Sequence, residues 1–116
     1  MRSDGFSGGA RASWAGLGLA LLLCLLQASA VLAADAKVGI DNFVFAPSLL
    51  TIKAGTTVVF KNHDDIPHLV VDAGGKFRSK ALDTNDSFSI TFDKPGDIAY
   101  FCGLHPHMTG KIIVAP

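Results

Sequence analysis

Ser87-Phe88-Ser89-Ile90-Thr91-Phe92 is the stretch that decides the fold class. Phe88, Ile90 and Phe92 fall on one side, and Ser87, Ser89 and Thr91 on the other. That period of two belongs to a strand with one face on a core and one in water. Downstream, Lys94-Pro95-Gly96-Asp97 carries turn chemistry. The segment after it places Ile98, Tyr100 and Cys102 on a common face, so Cys102 is expected to point inward at the end of its strand. Gly110 to Val114 supplies a last strand. Upstream, Thr56 to Phe60 reads as a strand entered through the tight turn Lys53-Ala54-Gly55, and Leu50-Thr51-Ile52 reads as the strand before it. Val38 to Phe45 is apolar and β-rich until Pro47 interrupts. His68 to Val71 is another strand, closed by Asp72-Ala73-Gly74-Gly75. Lys76 to Asn85 is polar and irregular and reads as a loop with at most one short strand. Nothing after residue 35 has the period of an amphipathic helix. Short strands with frequent turn signals and no helix predict an all-β sandwich of about seven to eight strands.

The first third of the chain has a different character. Arg2 and Arg11 are its only basic residues, and no charge occurs from Ala12 to Ala34. The run from Leu17 to Leu26 is almost wholly apolar, and small residues follow through Ala28-Ser29-Ala30 to Ala33-Ala34. A basic start, an apolar middle and a small-residue end describe a secretory signal, with cleavage expected after Ala33. Residues 1–33 are therefore expected to be removed, leaving 34–116 as the domain. The rival reading is an uncleaved membrane anchor, against which Gly16, Gly18, Gln27 and Ser29 weigh. Cys24 lies inside the apolar run, where an incidental apolar residue is the ordinary reading. The expected location is the periplasm, without stable membrane insertion.

Cys102 then stands as the one thiol of the exported domain, so no internal disulfide can form. A lone thiol in an oxidising compartment needs a reason to persist. His105 and Met108 follow it at intervals of three residues in Cys102-Gly103-Leu104-His105-Pro106-His107-Met108, and His68 lies upstream in Ile66-Pro67-His68. Taken singly, a His is more often a surface or core residue and a Met is more often packing. Together, one thiolate, two imidazoles and a weak thioether are the ligand set of a blue-copper electron-transfer centre. Soft sulfur suits Cu(I), and imidazole suits both copper states. Zinc also takes Cys and His, but Met is a poor zinc ligand, so copper is the expected metal. Pro106 stiffens the loop between His105 and Met108, and His68 is expected to arrive from another strand and tie the two sheets together. His63 and His107 read as a loop residue and a surface residue respectively.

In these residues the chain resembles the cupredoxins, and most of all their amicyanin-like members. The resemblance is carried by Phe101 to Lys111 and by Asn62-His63-Asp64-Asp65-Ile66-Pro67-His68, and extends from about Val38 to Val114. It implies a Greek-key sandwich, one type 1 copper ion, and His68, Cys102, His105 and Met108 as its ligands. It also implies that Asn62 hydrogen-bonds near the Cys102 loop and holds it. Two positions depart from the amicyanin pattern: Leu104 replaces a proline and His107 an aromatic residue. Both flank His105, the expected electron port, so the dehydrogenase partner known for amicyanin does not carry over unexamined.

Charge narrows the partners little. Residues 34–116 hold nearly balanced Lys/Arg and Asp, with no basic stripe for nucleic acid and no acidic block. Multicopper oxidases need many histidines, whereas this chain has four, two of them already assigned. No nucleophile triad, catalytic carboxylate pair or phosphate loop stands out, so an enzyme is not expected. The leading expectation is a monomeric carrier of single electrons between redox proteins, such as a periplasmic dehydrogenase and a c-type cytochrome. The alternative is a periplasmic copper carrier or storage protein. Delivery proteins favour Met-rich or His-rich open sites, and only two methionines are present, one of them Met1.

Overall fold

The computed structural model describes residues 35–116. The secretory signal expected over 1–33, with its rival anchor, lies outside the described residues. Eight strands run in order: β1 Ala36–Asp41, β2 Val44–Ala46, β3 Leu49–Lys53, β4 Thr56–Asn62, β5 Val70–Asp72, β6 Ser87–Phe92, β7 Gly96–Cys102 and β8 Thr109–Ala115. They form two four-stranded sheets, ordered β2-β1-β4-β6 and β3-β8-β7-β5. Among the described residues there is no helix. The all-β sandwich expected from the alternation is the fold found.

The pattern that defined β6 also sets its place. Phe92 is buried, Phe88 and Ile90 are partly buried, and the three hydroxyl residues face water. β6 pairs antiparallel with β4, with Phe60 opposite Phe88 and Val58 opposite Ile90. Val58 and Phe60 are fully buried, so the two strands press one apolar face on the core. From the other sheet, Tyr100, Cys102, Ile112 and Val114 complete it. Tyr100 sits at the centre, 4.8 Å from the Phe45 ring and 5.3 Å from that of Phe60, both near-perpendicular. Such contacts add ~0.5–1.5 kcal/mol each beyond area burial.

Two strand pairs are parallel. β1 lies beside β4, and β3 beside β8, with Leu49 opposite Lys111 and Lys53 opposite Ala115. These pairings join distant parts of the chain, and the chain crosses between sheets where β4 ends and β5 begins.

The apolar run from Val38 to Phe45 proves to be two strands. Asn42 and Phe43 turn the chain back, so that β1 and β2 pair antiparallel with Asp41 opposite Val44. Both turn residues have positive φ, 51° and 60°. The segment from Lys76 to Asn85 contains no strand. It contributes single bridges, Arg78 with Val71 and Leu82 with His68.

Candidate metal centre

Cys102 ends β7, and His105 and Met108 lie in the loop before β8. The loop closes on itself through its own backbone. The His105 N–H donates to the Cys102 carbonyl at 3.2 Å, and the Met108 N–H to the His105 carbonyl at 2.9 Å. Each is the i to i+3 bond of a β-turn. A third bond, from the Cys102 N–H to the Met108 carbonyl at 3.0 Å, joins the loop's two ends. The spacing of three therefore has a local cause: each candidate ligand stands one turn beyond the last. Pro106 occupies the second position of the turn from His105 to Met108, where a fixed φ is favoured.

His68 comes from the crossover before β5. Its backbone bonds both ways with Leu82, N–H to carbonyl at 3.1 Å and carbonyl to N–H at 2.7 Å. β5 then pairs with β7 so that Val70 lies opposite Cys102. His68, just upstream of β5, is thereby brought beside Cys102 at the end of β7, and the tie to the other sheet is made by Asn62 and Asp64, which precede His68. This refines the expectation that His68 itself joins the sheets.

Three donor groups converge. The Nδ1 of His68 lies 3.5 Å from the Cys102 Sγ, and the Nδ1 of His105 lies 3.7 Å from the same sulfur. All three ligand atoms lie within 4.8 Å of one another. Metal bonds of ~2.0–2.3 Å to nitrogen and sulfur put donors around one ion at about these separations, so the trio fits a single metal. His68 and Cys102 are fully buried and Met108 is 5% exposed, while His105 is partly exposed. The trio is placed to share one copper ion, and Met108 lies buried in the same loop as His105, just beyond Cys102. The soft sulfur donors and the enclosure fit copper better than zinc. His107 is exposed in the loop. His63 is exposed beside Gly39, and neither joins the converging trio.

The groups around the trio set its chemistry. His68 Nε2 lies 2.8 Å from the Asp64 Oδ2. A proton held there leaves Nδ1 as a lone pair facing Cys102, the tautomer a metal requires. The backbone N–H of Leu69 donates to the Cys102 sulfur at 3.4 Å, an interaction that a thiolate accepts well. Burial by itself would raise the Asp64 pKa. The N–H groups of Phe43 and Asn42 outweigh that, with contributions from His68 and Asp41, and hold it at about 2. Asp64 is an anion at any ordinary pH.

Asn62 takes a role other than the one the resemblance implied. Its side-chain amide donates to the carbonyls of Ile66 and Leu82, both at 2.8 Å, and its Oδ1 accepts the Asp64 N–H at 2.9 Å. It holds the segment carrying His68, not the Cys102 loop. Two further residues at the site, Asp64 as a supporting group and Phe43 as a neighbour, do not emerge from the sequence reading. For Asp64 a signal exists, since a carboxylate four residues before a ligand histidine can reach its outer nitrogen. For Phe43 there is none, because its position depends on an unusual turn.

Similar proteins point the same way. A family described as the cupredoxin-like domain matches residues 15–114. Amicyanin of Paracoccus versutus is 36% identical over 115 residues, covering 94% of this chain and 87% of that protein. Plastocyanin of Tetradesmus obliquus is 37% identical over 97 residues, covering 71% and 67%. Among solved structures, a purple cupredoxin from Nitrosopumilus maritimus aligns with a TM-score of 0.65 at 33% identity, covering 70% of this chain and all of that one. A two-sheet β-sandwich, a converging thiol and two imidazoles, and a family match over most of its length establish that the chain belongs to the cupredoxin-like family.

Proposed function

We propose that this protein is a periplasmic type 1 blue copper protein that carries single electrons between redox proteins, with His68, Cys102, His105 and Met108 as the copper ligands. The observation that carries the reading is the convergence of one thiol and two imidazoles in an enclosed pocket from which only His105 reaches towards water. Copper, when bound, supplies the one-electron couple between Cu(II) and Cu(I). The protein holds the donors. Cys102 and His68 are fixed by backbone bonds on β7 and before β5, and Asp64 fixes the His68 tautomer. Donors that do not move when the charge changes keep the cost of electron transfer low.

The surface around His105 supports a transient partner. Leu104, 50% exposed, and Phe43, 49% exposed, present apolar groups beside the imidazole. A small apolar contact around an electron port suits brief encounters of low area. The partners we propose are redox proteins such as a periplasmic dehydrogenase and a c-type cytochrome, with this protein acting as a monomer and with residues 1–33 removed as its signal. Ion delivery would need ligands open to exchange, and the full burial of His68 and Cys102 favours electron over ion transfer. Nothing in this arrangement activates a substrate, and the reading is of a carrier, not an enzyme.

One visible spectrum tests the assignment. Copper added to the purified domain should give an intense blue absorption from the Cys102 thiolate, lost in Cys102→Ser. A colourless Cu(II) complex, or colour retained without Cys102, would refute it. The mature protein's mass should place its first residue at Ala34, whereas material that keeps Met1 in the membrane would favour an anchor.

A further inference from the structure

The turn between β1 and β2 is built from residues that do not suit it. Asn42, at φ 51°, is among the side chains that tolerate the left-handed region. Phe43, at φ 60°, is not, since a bulky residue there is a true outlier and glycine is the ordinary occupant. Phe43 is also half exposed, so burial in the core does not explain it. Strain of this kind persists where the surroundings impose it, and here Asp64 does so. Its carboxylate accepts the Asn42 N–H at 2.6 Å and the Phe43 N–H at 3.1 Å.

The turn delivers the Phe43 ring to both imidazoles. Its centroid lies 5.7 Å from that of His68 and 5.0 Å from that of His105, with interplanar angles of 89° and 87°. The two imidazoles lie 5.1 Å apart. They differ in support. His68 is oriented by Asp64 through its outer nitrogen. The His105 ring, among the described residues, has Nδ1 against Cys102 Sγ as its one hydrogen-bond contact. A ligand histidine ordinarily has a polar partner on its other nitrogen to fix the ring; His105 is partly exposed, and among the described residues no protein group takes that place.

We propose that Phe43 is a positioning residue, whose T-shaped packing fixes the His105 ring where no protein hydrogen bond does. Asp64 then serves both imidazoles: His68 directly, and His105 through the turn that aims Phe43. A merely tolerated turn residue would have no effect on His105, which separates the two accounts.

Phe43→Gly tests this, because glycine relieves the backbone strain while removing the ring. The primary measurement is nuclear magnetic resonance of the metal-free protein and stands whether or not electron transfer is the function. Phe43→Gly should keep or raise the melting temperature, while the His105 imidazole signals broaden or double as the ring samples several orientations. Phe43→Tyr should restore one sharp set. In copper-loaded protein, the same glycine variant should spread the Cu(II) hyperfine pattern. Phe43→Leu keeps the strained turn without the aromatic ring, and it carries the measurement if the glycine variant does not fold. A single sharp set of His105 signals, with wild-type relaxation, in either ring-less variant would overturn the proposal.

Discussion

Asp64 shows how much one carboxylate can organise. It joins the β1–β2 turn to His68 and sits near pKa 2, against an ordinary value of 3.8. A depressed folded-state pKa contributes stability that is full above the ordinary value and is lost as pH falls through the folded one. Metal-free wild-type protein should therefore lose stability between about pH 4 and pH 2, and Asp64→Asn should lose less over that window. Urea midpoints at the two ends would show it, and equal losses would count against the linkage. Tyr100 offers the opposite lesson. Its hydroxyl is buried with no hydrogen-bond partner among the described residues, and burial pushes its pKa up to about 12. An unpaired buried hydroxyl costs ~1–3 kcal/mol. Tyr100→Phe should match or exceed wild-type stability by up to ~1 kcal/mol, and a clear loss in denaturant midpoint would show that the hydroxyl is satisfied. At this scale the sequence is informative where chemistry is unusual. Ordinary packing does not call for a thiol, an imidazole and a thioether at intervals of three residues, so Cys102, His105 and Met108 announce a metal. Asp64 is less legible because an exposed loop aspartate is common, and only the folded distance to His68 distinguishes it.

Among the elements, the β7–β8 hairpin carries the site. Tyr100 lies opposite Gly110 across the two strands, and its ring covers the space where a side chain at Gly110 would project. Gly110→Ala would force the Tyr100 ring out of its place between Phe45 and Phe60. Overpacking of this kind costs ~1–3 kcal/mol. Thermal unfolding should show a loss of that order, and a neutral result would mean that the ring has somewhere to go. β6 and β7 are legible from sequence because their inner and outer residues differ sharply. The β1–β2 turn is not. Hairpin turns with positive φ are recognised by glycine, and Asn42-Phe43 has none, so the two strands read as one. The polar composition of Lys76 to Asn85 does announce an irregular segment. What it hides is that Leu82 reaches full burial there and pairs with His68, since a single bridge has no period.

For the whole molecule, a domain of this size has a modest core, and a metal held only by the folded state adds to it. Copper at a hundredfold excess over its dissociation constant should stabilise the protein by ~2.7 kcal/mol. The melting temperature should rise on loading and fall again on chelation, and a temperature indifferent to copper would mean that the unfolded chain binds it as well. The parallel pairing of β3 with β8 has a consequence of another kind, in time rather than energy. The strand that closes the second sheet is the last of the eight to be synthesised, and its partner is an early one. Folds dominated by such distant pairings form in milliseconds to seconds. The turn carrying His105 and Met108 is bounded by that same last strand. A growing chain that lacks β8 therefore has a thiol but no pocket around it, so the capacity to hold copper arrives only once β8 has been made.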